Sequence, residues 1–188
     1  RGGAAYTHHD IETTRMPDFA SFSDELKGDY DGDTAQIFGE AGYRTNLGGV
    51  SLEPFGGLAY VDVHTDGFME DGGAGALTTS GDDTDAVFST LGIRAAASFE
   101  IAGLNAQAKG MLAWRHAFGD DVPLATLAFA TSGPFTVAGV PLAEDVVAIQ
   151  AGIDIALAPN AVLNLSYDGE VGDGFSDHSI RGTASWSF

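Results

Sequence analysis

The chain of 188 residues contains no cysteine, which excludes a disulfide scaffold and any thiolate metal site. Cations are scarce: 8 Lys and Arg stand against 27 Asp and Glu, a formal net charge of −19. Such a surface repels phosphate backbones, so nucleic acid is excluded as a partner. No run approaches the ~18 consecutive apolar residues of a membrane helix, although 44% of residues are hydrophobic. There is no G-x-S-x-G elbow for a serine nucleophile, and the glycines of "EDGGAGAL" lack the Lys and Ser or Thr of a phosphate loop. No signal peptide stands at Arg1, so the sequence is expected to be either processed or an internal piece of a larger precursor.

Glycine, in contrast, is abundant at 26 residues without a three-residue repeat, which favours a turn-rich all-β protein over collagen. Period-two alternation then runs through the chain. "AQIFGEAGYR" puts Ala35, Ile37, Gly39, Ala41 and Tyr43 on one face and Gln36, Glu40 and Arg44 on the other. "SLEPFGGLAYVDV" sets Leu52, Leu58 and Tyr60 against Glu53, and "VFSTLGIRAAASF" sets Val87, Leu91, Ile93 and Phe99 against Thr90, Arg94 and Ser98. In "LNAQAKGMLAW" the apolar set ends at Leu112 and Trp114, opposite Asn105, Gln107 and Lys109. "VAIQAGIDIAL" and "AVLNLSYDGE" repeat the pattern with Ile149, Ile153, Leu165 and Tyr167 against Gln150, Asp154, Asn164 and Glu170. The last segment alternates Ile180, Gly182, Ala184, Trp186 and Phe188 with polar residues, and a further strand is expected around "GGAAYTHHDIE". The count is about eight, and the period is that of extended chain.

Connections alternate in length. "NLGG", "IAG" and "APN" are tight, whereas Thr13 to Tyr30, Gly67 to Asp83 and Ala117 to Glu144 are long and rich in Gly or acid. One rim of turns and one rim of loops is the signature of an up-and-down barrel. The face assignment decides its solvent. Glu53, Arg94, Lys109, Arg115 and Asp154 share one face in both signs, while the opposite face is almost uncharged. A water-soluble barrel has charges outside, so this arrangement predicts a transmembrane β-barrel with those five residues facing the lumen, either contacting a threaded segment or pairing across the interior. Tyr43, Tyr60, Phe99, Trp114 and Tyr167 fall on the lipid side, mostly towards strand ends, as interface aromatics.

The stretches "TAQIFGEAGYR", "LEPFGGLAYVDVHTDGF", "FSTLGIRAA", "GMLAWRHAFGD", "FTVAGVPLA" and "NLSYDGEVGDGFSDHSIRGTASWSF" cover most of the chain. Together they resemble the C-terminal β-domain, or translocator, of autotransporter proteins of Gram-negative outer membranes, the type V secretion family. The resemblance implies an integral outer-membrane barrel with long loops extracellular and both chain ends periplasmic. Implied partners are outer-membrane lipid and lipopolysaccharide, the outer-membrane assembly machinery, and a passenger domain in the same precursor. Family members usually have twelve strands and a pore helix, so residues 1–188 are expected to lack the first strands and that helix. The resemblance also implies that Ile180, Gly182, Ala184, Trp186 and Phe188 form the assembly signal at the barrel's end.

The function so implied is anchoring and export of an N-terminal passenger, with no enzyme activity and no cofactor. A small outer-membrane barrel that binds a surface partner through its acidic loops is the alternative. His8, His9 and Asp10 invite a catalytic or metal reading, but adjacent strand residues point to opposite faces, and a strand-end polar pair is expected instead. His64 and Asp66 share a side without visible third partners, and His116 reads as a rim residue. "DYDGD" and "GDDTD" suggest weak divalent-ion association, yet neither has EF-hand spacing, and no metal site is assigned.

Overall fold

A computed structural model describes residues 1–19, 22–119 and 122–187 of the chain. Among them the long elements are eight strands: β1 (Gly2–Arg15), β2 (Leu26–Gly42), β3 (Val50–Asp66), β4 (Gly81–Ile101), β5 (Leu104–Gly119), β6 (Asp145–Ala158), β7 (Ala161–Gly172) and β8 (Phe175–Trp186). Each is hydrogen-bonded antiparallel to the next in chain order, which makes one up-and-down meander. No described residue is helical.

The tight turns are set by backbone chirality. Gly48 and Gly49 (φ 58° and 87°), and Ala102 and Gly103 (φ 53° and 77°), occupy two-residue turns with both central φ angles positive. That is the mirror-image turn whose twist matches a right-handed β-ribbon. The β6–β7 link is Pro159–Asn160, on the same rim. On the opposite rim, Leu77–Thr79, Leu124–Phe129 and Phe135–Ala138 pair into a small three-stranded sheet of loop segments. The last connection on that rim, Asp173–Gly174, is a tight turn rather than a long loop.

The strands outrun the expected ones at the loop rim. β2 starts at Leu26 and β4 at Gly81, so "DYDGD" and "GDDTD" are strand, not loop. Their carboxylates sit beyond the apolar band, where the ladder continues; on the concave side of β2 at that height, Leu26 and Gly28 are buried and Tyr30 stacks on Phe68.

The sheet has little conventional core. The buried apolar side chains are Leu26, Phe55, Ala86, Ala106, Ala113 and Val146, whereas Leu58, Leu91, Leu112 and Leu165 are each more than half exposed. A sandwich in water would bury such leucines against a second sheet; here they form one continuous apolar surface over adjacent strands. Their height fits a membrane. From Val50 to Tyr60 the outward positions of β3 are free of charge, and those roughly eleven residues at ~3.3 Å, tilted ~40°, span about 25 Å, the height of an outer-membrane apolar band.

The sheet is curled but open. β8 is bonded to β7 on one side only, and among the described residues β1 and β8 do not pair, in contrast to the closed sheet expected from alternation. Closure requires strand number, tilt and shear to agree.

Candidate functional site

One side of the wall is concave. Glu40, Glu53, Arg94, Lys109, Gln150 and Asp168, from six successive strands, line a single cavity of about 820 Å³. A second cavity of about 1230 Å³ lies towards the loop rim, where Phe38, Phe55, Phe88, Met111 and Phe175 join Arg115 and Glu170 below the 140–144 segment. Alternation puts every second residue of each strand on this side, so the five residues read as lumen-facing all stand on the concave face.

There they are paired. Arg94 donates to Glu40 at 2.6 and 2.8 Å and to Glu53 at 3.3 Å. Its guanidinium lies 3.5 Å from the centre of the Phe55 ring. Arg44 donates to Glu53 at 2.6 and 2.9 Å, and Arg1 reaches Glu40 at 2.9 Å. Lys109 bonds Asp154, which also accepts from Asn164 at 2.6 Å, and Arg115 meets Glu170 at 3.0 Å. Carboxylates and cations satisfy one another along the concave face. Glu40, Arg44 and Glu170 were visible on the polar parity of their strands, but which cation meets which acid depends on register.

On the convex face, Tyr43 and Phe99 lie near the turn rim, where Trp186 ends β8. Tyr60, Trp114 and Tyr167 lie inside their strands rather than at the ends, because the strands continue past the membrane boundary. Each marks where apolar side chains give way to polar ones: the Trp114 indole donates to Asp145 at 2.7 Å, and Tyr60 bonds Asp62 at 3.4 Å. Tyr167 shares a 2.8 Å hydrogen bond with His178. His116 is 2.9 Å from Asp145.

Above that boundary the register sets an alternating row across four strands on the convex face: His8 of β1 opposite Asp33 of β2, Asp33 opposite His64 of β3, and His64 opposite Asp83 of β4. His64 has a carboxylate on each ring nitrogen, Asp83 at 2.5 Å and Asp66 at 3.1 Å, and these raise its pKa, Asp83 the more. His9, one residue along, faces the opposite side and meets Thr34 at 3.4 Å.

Of the terminal set, Ile180 and Trp186 are 77% and 76% exposed and share the convex face of β8 with Gly182 and Ala184. Phe188 lies outside the described residues.

A curled meander with an apolar exterior and a charged, water-accessible interior defines an outer-membrane-type β-barrel wall. The profile of the Autotransporter beta-domain family matches residues 1–168. An extracellular serine protease of Serratia marcescens is 35% identical over 189 residues, covering 100% of this chain and 18% of the relative. A second extracellular serine protease of the same species is 34% identical over 99% of the chain, again 18% of the relative. The chain belongs to the autotransporter β-domain family, whose members are β-barrels of Gram-negative outer membranes. It spans less than a fifth of the length of the relatives it matches.

Proposed function

We propose that this domain is the translocator of its precursor, anchoring in the outer membrane and helping an N-terminal passenger reach the cell surface. The observation that carries the reading is the two-sided wall: uncharged leucines and isoleucines outside, and an aqueous, ion-paired face inside. In this reading the loop rim is extracellular and the turn rim, with the ends of β1 and β8, is periplasmic. The convex face meets lipid and, at the outer leaflet, lipopolysaccharide. Glu53, Arg94, Lys109, Arg115 and Asp154 keep the interior wet and offer both signs of charge to a segment passing it.

The proposed role is not catalytic. The relatives are named for protease activity, yet the match covers only 18% of each, which leaves ample chain elsewhere for a passenger. Further strands and a pore helix complete the wall in this proposal, since two edges with unpaired backbone groups are untenable in hydrocarbon. Ile180, Gly182, Ala184, Trp186 and Phe188 serve as the signal offered to the assembly machinery.

The test is pulse-chase labelling of the full precursor in a Gram-negative host, with external protease as the probe of surface exposure. The passenger is expected to become protease-accessible with the domain intact and to stay protected when residues 1–188 are deleted. Equal accessibility in both would overturn the role.

A further inference from the structure

Of the two histidines in the rim row, His8 is unlike His64. The Nδ1 of His8 donates to Asp33 at 2.8 Å, and Asp33 is itself held by the Tyr6 hydroxyl at 2.6 Å. With its proton on Nδ1, the neutral imidazole turns the lone pair of Nε2 outward, towards Asp10 on its own strand and Asp31 on β2. The Nε2 to Asp10 Oδ1 distance is 3.5 Å, longer than a hydrogen bond. Two ligands at ~2.0–2.1 Å from a tetrahedral zinc ion stand about 3.4 Å apart, so this spacing suits a shared ion better than a direct contact. Ligand atoms of His8, Asp10 and Asp31 all lie within 4.8 Å of one another, and Asp10, 88% exposed, has freedom to close the remainder by rotation.

We propose that His8, Asp10 and Asp31 form a divalent-cation site of the zinc class on the outer rim, clamping β1 to β2 above the membrane. The Asp33 bond supplies what a ligating histidine ordinarily has, a carboxylate on its other ring nitrogen that fixes tautomer and orientation. Three protein ligands leave a fourth position for water or an external anion. An imidazole with two carboxylates selects zinc-like ions over calcium, which takes six to eight oxygens. His64 cannot serve in the same way, because both its nitrogens already hold carboxylates at hydrogen-bond distance.

The experiment is zinc titration by calorimetry on the full precursor refolded in detergent micelles, with the folded state of each variant checked by its heat-modifiable gel mobility. The intact protein is expected to bind one equivalent more than His8→Ala or Asp31→Asn, either of which suffices if the other misfolds. Asp33→Asn is expected to weaken binding about 10- to 100-fold, as loss of a carboxylate behind a ligand does. His64→Gln is expected to bind like the intact protein. The site is refuted if His8→Ala and Asp31→Asn retain the intact stoichiometry and affinity. Loss in His64→Gln equal to that in His8→Ala, or displacement of zinc by a modest excess of calcium, also refutes it, since either marks a diffuse acidic rim.

Discussion

An arginine placed on the convex face measures depth in the membrane, and register says which positions should cost alike. Trp114 and Asp145 share a hydrogen bond at the boundary of the apolar band. Two residues down β5 from Trp114, at ~3.3 Å per residue and ~40° tilt, Leu112 lies only about 5 Å inside that boundary. Ile149 of β6 lies directly opposite it in the ladder, so the two stand at nearly the same depth. The two are cross-strand partners, 53% and 43% exposed, so burial hardly distinguishes them. Ile149→Arg and Leu112→Arg should therefore cost similar amounts, about 1–2 kcal/mol each as the guanidinium snorkels to the interface. Lys109→Gln on the concave face loses one half-exposed ion pair with Asp154 and should cost less than about 1 kcal/mol. Reversible denaturant unfolding of the protein in lipid vesicles, followed by tryptophan fluorescence, gives all three values. Arginine costs no larger than that of Lys109→Gln would refute the face, and widely different costs at Leu112 and Ile149 would refute the depth.

Three further outcomes are expected. Ala102 carries φ 53°, where a Cβ is strained, so Ala102→Gly should stabilise the β4–β5 hairpin by about 1 kcal/mol in the same unfolding assay; destabilisation would contradict the turn geometry. Glu70, buried in the loop rim, accepts from Arg15 at 2.5 Å and from the Leu77 amide at 2.9 Å, and Arg15 is the main cause of its lowered pKa. A depressed carboxyl contributes its stability in full above the ordinary value and loses it as pH falls through the folded-state pKa. Pepsin cleavage within residues 67–80 should thus rise as the pH is lowered through the acid range, and Glu70→Gln should flatten that dependence; a variant with the original profile would assign it elsewhere. Deleting Phe188 should slow surface insertion of the precursor in pulse-chase more than it lowers stability after refolding in detergent, whereas unchanged insertion would remove the assembly role.

Alternation alone determined most of the architecture, because a strand's side chains obey a period of two that no tertiary contact can alter. Eight strands, the meander, and the polar face with Glu53, Arg94, Lys109, Arg115 and Asp154 follow from spacing, and the family follows from the motifs along it. The ion pairs do not. Arg94 reaches Glu40 across 54 residues of sequence, and Arg115 reaches Glu170 across 55, distances that only cross-strand register converts into contact. Strand ends are not legible for a related reason: the acids of "DYDGD" stand on the convex face of β2 while its other face packs under loop residues such as Phe68, so the pattern resembles loop while the ladder persists. The rim shows the division at its sharpest. His8 and Asp10 share a face by parity, so half of the candidate cation site stands in the sequence, but Asp31 and the orienting Asp33 come from the neighbouring strand. Pairing His8 with Asp33 is a matter of register, and a slip of one residue would turn both carboxylates to the other side of the wall.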